Sequence, residues 1–539
     1  DPITPVIVTD PDVLNTAPYS NQPDIIRDAN GNPYGISKWV GQEMANPLAY
    51  IQTRLGNYGW SDDFVGNVYA EIKIIKGLKI RSTVGSKIAF WGYESFTPVS
   101  YLNSTTINSK NSFSRGSNRG FNFNVENTIS YANKINKHDF EVLLGHGAYQ
   151  DDWSVNVNVT KWDIPATSFD EASMNWSVPT DQITAGGGEG TVHKVLSLFS
   201  RINYNYDGKY LLTAVFRRDG SSRFGSNNRF GFFPSASAGW IVSQENFWPV
   251  NNVVNFVKIR GGYGVVGNDN IGNFAYLSTV GGGRDYPFGT SGDYYNGVSP
   301  NAPSNPDLRW EETTQINVGF ESRFFDRISL TFDWFNKKST DILMYPRIPA
   351  YVGAIGNPAA NVASVANRGV ELELGYRENF NGLELGVNGN VSYLQNEVTY
   401  LGAGVDFLGG GGWFQASSYN ITRTQVGQPM NSFYGFEILG VFQNQDDIYS
   451  HVDSRGDLIQ PNAQPGDFIW ADINDDGVIT EDVRTFIGNP TPAWTYGITL
   501  NASYKNFDLL VFAQGVAGNM IFQGLRRLDI ANANYPIEA

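Results

Sequence analysis

Residues 494–504 read Trp-Thr-Tyr-Gly-Ile-Thr-Leu-Asn-Ala-Ser-Tyr. The even positions, Trp494, Tyr496, Ile498, Leu500, Ala502 and Tyr504, are apolar with aromatics at both ends. The odd ones, Thr495, Gly497, Thr499, Asn501 and Ser503, are small and polar. Successive side chains of a strand point to opposite faces, so this stretch reads as a strand with one apolar and one polar face. The pattern recurs in Ile328, Leu330, Phe332 and Trp334, in Val370, Leu372, Leu374 and Tyr376, and in Leu383, Leu385 and Val387. Leu196, Leu198, Ile202, Tyr204 and Tyr206 share a face in the same way. About fourteen such segments follow one another through the chain.

A soluble β-sandwich alternates too, so two further features decide. Segments of about 10–15 residues exceed the ~5–6 usual in globular sheets and reach the ~9–11 tilted residues that cross a bilayer. The connections also alternate in length. Lys76-Gly77, Asp207-Gly208, Phe325-Asp326, Asn379 to Gly382 and Lys505-Asn506 are tight, whereas Gly- and Asn-rich stretches near 92–118, 150–192, 266–308, 341–365 and 401–493 are long. Short turns on one side and long loops on the other are the habit of outer-membrane barrels. The expectation is an all-β chain forming a transmembrane antiparallel β-barrel wall, with long extracellular loops and short periplasmic turns. Its polar face lines a lumen, its apolar face meets lipid, and Tyr and Trp mark the interfaces. Residues 1–63 are expected as an extracellular loop segment, 64–525 as the barrel portion with those five insertions, and 526–539 as a loop or tail.

Composition agrees. The 539 residues include 38 Lys+Arg and 53 Asp+Glu, a net charge of −15, which excludes the basic stripe of a nucleic-acid binder. Cysteine is absent, so there is no disulfide framework, thiolate zinc site or Cys nucleophile. Charged residues are 17% and aromatics 14%, against ~25% charged in soluble domains. That imbalance suits a surface that meets lipid. Apolar runs such as Leu509 to Ala513 fall far short of the ~20 residues of a spanning helix. The chain opens at Asp1 without a signal peptide, as expected of a mature or truncated product.

Few motifs carry chemistry. Gly262-x-Gly264-x-x-Gly267 fits the dinucleotide-binding expression, but that site needs a following helix for the pyrophosphate. Asn268 to Gly272 reads as loop, so a strand leaving the wall is expected. Asp472-x-Asn474-x-Asp476-Gly477 sets oxygens at positions 1, 3 and 5 of a calcium loop, Gly at 6 and the Val478 carbonyl at 7. Position 12 is Val483, with Asp482 just before it. Two readings stay open: a structural calcium held by Asp472, Asn474, Asp476, Val478 and Asp482, or an Asx-turn satisfied by its own backbone. No other cofactor is expected.

Glu371 and Glu373 point the same way from one strand, without the flanking geometry of a glycosidase pair. Arg217, Arg218, Asp219 and Arg223 are expected to pair at the barrel rim. His138, His146, His193 and His451 form no HExxH, and no Gly-x-Ser-x-Gly elbow occurs, so the chain is expected not to be an enzyme. The long loops carry aromatics: Trp153, Trp162 and Trp176; Tyr286, Tyr294 and Tyr295; Trp413, Phe414 and Tyr419. Sugar C–H faces stack on such rings. Trp176, Tyr286, Trp413, Phe414 and Tyr419 are therefore the candidate substrate contacts, with loop anchoring as the alternative.

Several dispersed stretches carry a resemblance. They are Arg201-Ile-Asn-Tyr-Asn-Tyr-Asp-Gly-Lys-Tyr-Leu-Leu212, Arg217-Arg-Asp-Gly-Ser-Ser-Arg-Phe-Gly225 and Phe233-Pro-Ser-Ala-Ser-Ala-Gly-Trp240. Val257-Lys-Ile-Arg-Gly-Gly-Tyr-Gly264, Asn305-Pro-Asp-Leu-Arg-Trp-Glu311 and Asn367-Arg-Gly-Val-Glu371 follow, then Pro465-Gly-Asp467 and Asp472-Ile-Asn-Asp-Asp-Gly477. In this order they resemble the SusC/RagA group of TonB-dependent outer-membrane transporters of Bacteroidetes. The resemblance implies a plugged barrel of roughly 22 strands, of which about fourteen are expected here. The family's N-terminal extension and plug have no counterpart in this stretch. It further implies active import of oligosaccharides or oligopeptides across the outer membrane. A SusD-like surface lipoprotein would cap the barrel, and a TonB–ExbB–ExbD complex would act through the plug. The rival readings are a passive porin and a secreted all-β glycan-binding or glycan-degrading protein.

Overall fold

Turn chemistry and alternation together set the register of the wall. Asp207 and Gly208 (φ 55° and 70°) and Asn381 and Gly382 (φ 51° and 91°) occupy the left-handed region that tight hairpins require, a region Gly and Asn/Asp enter at least cost. The computed structural model describes the chain except for residues 1–2, 39–43, 250–251, 288–291, 293, 403, 411–419 and 524–539. Its main element is a 16-stranded antiparallel sheet.

The strands are β1 (Tyr58–Ile75), β2 (Leu78–Thr97), β3 (Ser112–Ile135), β4 (His138–Asp151), β5 (Ser154–Trp162), β6 (Ile183–Glu189), β7 (His193–Tyr206) and β8 (Tyr210–Ser221). They continue with β9 (Phe230–Ile241), β10 (Val254–Asn268), β11 (Glu311–Phe324), β12 (Ile328–Met344), β13 (Ala360–Phe380), β14 (Leu383–Tyr400), β15 (Trp494–Tyr504) and β16 (Phe507–Ala517). The path runs in sequence order from β1 to β16, with β5 and β6 off it: β5 pairs β3, and β6 pairs β5. The path's fourteen strands coincide with the alternating segments of the sequence.

Several strands are longer than alternation alone suggests. β3 runs for 24 residues, and β2 and β3 stay paired up to Thr97 and Ser112, deep in the expected loop 92–118. β13 begins at Ala360, inside the stretch 341–365. The expected loop 150–192 contains the β5–β6 hairpin, which extends the sheet outward along the first residues of β3. Within 1–63, β1 already begins at Tyr58, after two short helices, Pro11–Leu14 and Pro47–Gln52.

The two faces differ as the alternation demands. Trp334, opposite Val318 and Val370, and Ile498, opposite Gly389 and Ala513, lie on the apolar face. Val68, Leu144, Leu198, Val318, Leu374 and Ile498 on that face are all exposed. Buried apolar residues gather instead in small clusters under the loops, such as Phe224, Phe233, Ile271, Leu308 and Trp310, or Phe96, Phe113 and Ile164. A sheet that exposes apolar side chains along its whole outer face and keeps its core at one end is a barrel wall solvated by lipid. Among the described residues no helix is long and apolar enough to cross a membrane. The sheet is open, with β1 and β16 as its edges, and every residue of β1 is exposed on both faces.

Candidate functional site

The polar face of β10 to β13 carries an interlocked row of charges. Lys258 lies 3.2 Å and Arg260 3.1 Å from the same Glu321 oxygen, and Arg260 also pairs with Asp333. Asp333 stands opposite Glu371 in the register. Strand alternation puts Glu373 on the same face, opposite Thr331 and Asn390. Glu371 and Glu373 thus belong to a face of the wall that carries carboxylates and guanidinium groups on adjacent strands. This arrangement orders the wall by pairing charge across neighbouring strands.

Beside that row lies a recess of about 280 Å³, lined by Thr213, Ser235, Ser237, Gln315, Asn317 and Lys337. Its floor includes Gly262 and Gly264. A Cβ on Gly262 would stand 2.7 Å from Asn317 Oδ1, and one on Gly267 would run into the Phe233 ring. The motif lies at the end of a strand that leaves the wall at Asn268, as expected, and Gly262 and Gly267 are also required by close packing against Asn317 and Phe233. Nearer the short turns, a larger hollow of about 1110 Å³ is bordered by Arg323, Arg327, Glu378, Glu384, Asn501 and Ser503. Both hollows offer hydroxyl, amide and charged groups, which suit a hydrated, hydrogen-bonding ligand.

At the loop end, the tops of four elements meet around His193. Its Nδ1 lies 2.7 Å from Asp151 Oδ1, and its Nε2 lies 2.8 Å from Asp269 Oδ2. Ser221 donates to the same Asp269 oxygen at 2.6 Å. Arg223 reaches Asp152 (3.1 Å), the Asp269 carbonyl (3.2 Å) and Asn273 (3.0 Å). Among the described residues, Asp151, Asp152 and His193 are close enough together to hold a metal ion. Their atoms are already engaged, since Tyr149 donates to Asp151 Oδ2 at 2.9 Å and Arg223 takes Asp152. The cluster therefore acts as a clasp that ties the loop after β10 to the rim. No local motif announces it, because its members are scattered from Asp151 to Asn273 and meet only through strand pairing. Of the four charged residues expected to pair there, Arg217 pairs with Asp219 at 2.6 Å and Arg223 joins the clasp. Arg218 does neither; it stands on the outer face, over the ring of Phe230.

The aromatic candidates fall in separate loops. Trp176 is 40% exposed and donates its indole N–H to the Glu171 carbonyl at 3.0 Å. The indole N–H is thus anchored while the residue remains solvent-exposed. Tyr286 stands directly opposite Tyr295 in a two-residue bridge, and both rings are more than half exposed. Trp413, Phe414 and Tyr419 lie outside the described residues.

The 472–482 loop is well connected. Asp472 Oδ2 accepts from Gly477 N–H at 2.8 Å, Asn474 donates to Asp476 at 2.8 Å, and Val478 N–H donates to Asp476 at 2.9 Å. Asp475 and Gly477 sit at positive φ, 56° and 83°, as the sharp turn expected from the sequence requires. Asp482 lies in a short 3-10 turn capped by Thr480. Asp472 Oδ1 is buried without a hydrogen-bond partner among the described residues. Next to the loop, Arg455 donates to the Asp476 carbonyl at 3.0 Å and pairs with Asp453 at 2.7 Å. The Asp457 N–H, and then Arg455, hold the Asp453 carboxyl below its usual range, and Asp453 in turn holds the Arg455 guanidinium above its own.

Comparisons with known proteins agree with this geometry. A family described as TonB dependent receptor-like, beta-barrel, matches residues 8–535. TonB-dependent receptor P3 of Formosa agariphila is 29% identical over 530 residues, covering 97% of this chain and 51% of that protein. TonB-dependent receptor SusC of Bacteroides thetaiotaomicron is 26% identical over 488 residues, covering 88% of this chain and 45% of that protein. The solved RagAB peptide transporter superposes with a TM-score of 0.75 over 93% of this chain and 52% of that one, at 24% identity. That last likeness is one of fold. The chain spans about half the length of the curated relatives it matches.

Proposed function

The chain belongs to the TonB-dependent receptor-like β-barrel family of the outer membrane, and from that premise we propose that it forms the wall of an active importer of oligosaccharides. The observation that supports the ligand class is a cross-strand pair of solvent-exposed tyrosines, Tyr286 and Tyr295, in the long connection between β10 and β11. Together with the exposed Trp176 they offer aromatic groups of the kind on which sugar C–H faces stack. Below them the inner wall offers hydroxyl and amide groups at Ser235, Ser237, Gln315 and Asn317, suited to hydroxyl-rich cargo. Trp413, Phe414 and Tyr419 are proposed as further contacts of the same kind.

Import against a gradient needs energy and a captured ligand. A TonB–ExbB–ExbD complex acting through a plug would supply the first, and a SusD-like surface lipoprotein seated on the loops the second. A structural calcium in the 472–482 loop completes the reading, supported by the orphaned Oδ1 of Asp472. Asp472, Asn474, Asp476, Val478 and Asp482 would hold it. Calcium there would order the loop and take no part in transport chemistry.

The test is uptake of labelled oligosaccharides by cells making the full-length gene product. Uptake should stop when TonB is deleted. Uptake that continues without TonB would mean a passive channel. Competition by oligopeptides, with none by oligosaccharides, would change the ligand class.

A further inference from the structure

One charge stands on the wrong face of the wall for a transport path. Arg218 on β8 faces outward with Tyr210, Leu212 and Phe216, because side chains two apart share a face. Its cross-strand neighbours are Leu198 on β7 and Phe232 on β9, and Leu198, Phe216 and Phe232 are each about half exposed. Tyr210 and Trp240 stack at the short-turn end of the same face, at 6.5 Å between ring centroids, and mark the lower interface. From Tyr210 to Arg218, along β8, residues rising ~3.3 Å each on strands inclined ~40° climb about 20 Å of a ~25 Å apolar band. Arg218 therefore sits just under the outer-leaflet boundary.

Its surroundings are built for a guanidinium. The centre of the group lies 3.9 Å from the Phe230 ring centroid and 5.6 Å from that of Phe232. Phe230 is one row further out, opposite Gly220, so the side chain reaches up towards the headgroups. A Cβ on Gly220 would collide with the Phe230 ring, so the glycine lets that ring lie across the strand beneath the cation. Arg218 Nε has no hydrogen-bond partner among the described residues. On the same face, beyond Leu196, β7 adds Lys194, which is exposed and opposite Gln150. The nearby Asp152, just past β4, is already held by Arg223. Two cations stand at the upper edge of a lipid-facing wall, and the outward positions of β7, β8 and β9 carry no carboxylate to pair with them. A cation so placed is unfavourable unless it meets a counter-charge.

We propose that Arg218 and Lys194 bind the phosphate of an anionic outer-leaflet lipid, with Phe230 and Phe232 flanking the guanidinium and Leu196 and Leu198 taking the acyl chain. Arginine suits the role because its planar fork bonds phosphate bidentately and stacks on aromatic rings. The inference rests on the outer-membrane reading and adds a lipid of defined chemistry at a defined place.

The full-length protein, purified in detergent, is titrated with monophosphoryl lipid A and examined by native mass spectrometry. Diacylglycerol serves as the uncharged lipid and inorganic phosphate as the free ion. The wild type should retain lipid A adducts, and Arg218→Gln combined with Lys194→Gln should weaken retention by about tenfold. Lys194→Gln alone changes an exposed side chain, so it keeps the barrel intact and should still weaken retention measurably. Heat-modifiable gel mobility checks that each variant is folded. Equal retention by wild type and variants, equal retention of diacylglycerol, or displacement of lipid A by inorganic phosphate alone would each overturn the site. Failure of the protein to fractionate with membranes would instead sink the outer-membrane reading.

Discussion

His193 on β7 and Asp269, in the loop that leaves β10, are joined by a 2.8 Å contact between Nε2 and Oδ2, although 76 residues separate them in sequence. The other ring nitrogen faces Asp151, so one nearly buried imidazole couples the tops of two strands to a long loop. Replacing His193 with Ala removes one hydrogen-bond partner from each of two carboxylates, which keep Tyr149 and Ser221, at a cost of about 1–3 kcal/mol. The effect should be local. Hydrogen exchange should speed up in peptides around Ile271 and Asn273 and stay unchanged in β12 to β15. Unchanged protection near Ile271 would mean that the apolar cluster under the loop holds it alone.

Gly267 makes the second case. Phe233 packs into the space a side chain would take there and meets Trp310 edge to face at 5.3 Å. Gly267→Val should push Phe233 out of the cluster with Phe224 and Leu308 and destabilise the loop end by about 1–3 kcal/mol. Gly389→Ala is the control, since the nearest atom to a new Cβ there is 3.9 Å away. Thermal unfolding of the full-length protein should separate the two variants. Equal melting temperatures would remove the packing explanation for the motif.

These sites also mark how far the sequence could be read. The wall was legible because alternation is local: Ile498 and Leu500 declare a strand without reference to anything distant. The outward run of β3 was hidden because Ser114, Gly116 and Asn118 lack apolar residues two positions away, and its partners there are β2 on one side and the β5 hairpin on the other. β6 was hidden by Gly186, Gly187 and Gly188, which carry no alternation to read. The clasp at His193 left no local trace, since Asp151, Ser221 and Asp269 reach it through three different strand tops. The turn at Asp472 to Gly477 was legible because its partners lie within five residues. Arg455, which borders it, could be placed only by folding.

The loop that contains Asp453 should respond to acid. Its carboxyl is held low first by the Asp457 N–H and then by Arg455, and Asp475 is held low by Ser454. A carboxylate whose folded pKa is depressed stabilises the fold above its unfolded value, ~3.9. That contribution disappears as pH falls through the lower folded value. The protection factor around Ser454 and Arg455, corrected for intrinsic exchange, should therefore be flat above about pH 5 and fall below about pH 4. A fall that begins near neutrality would point to a different group.

The calcium proposal gives the same loop a second test. If Asp472 Oδ1 faces a cation, adding calcium at about 100 times Kd should protect residues 472–482 by roughly 2.7 kcal/mol of local stability. Chelation should reverse it, and Asp472→Asn should blunt the response. No change in exchange on chelation, with the loop still protected, would leave Arg455 and the Asx-turn as its only supports.

The sidedness of the wall can be tested at neighbouring residues of β14. Val391 lies between Leu372 and Tyr496 on the apolar face, while Ser392 lies between Glu371 and Thr495 on the polar face. Val391→Arg puts a cation into lipid at a cost of about 2–4 kcal/mol near mid-membrane. Ser392→Arg puts the same cation beside Glu371, and Asp333 is one strand further on, so it gains carboxylate neighbours. In cells, the amount of folded protein in the outer membrane should fall sharply for Val391→Arg and stay near the wild-type amount for Ser392→Arg. A soluble sandwich with a dry interior would invert the pair or treat both alike. One residue of displacement along the strand is enough to choose between lipid and lumen, because the period of the strand is two.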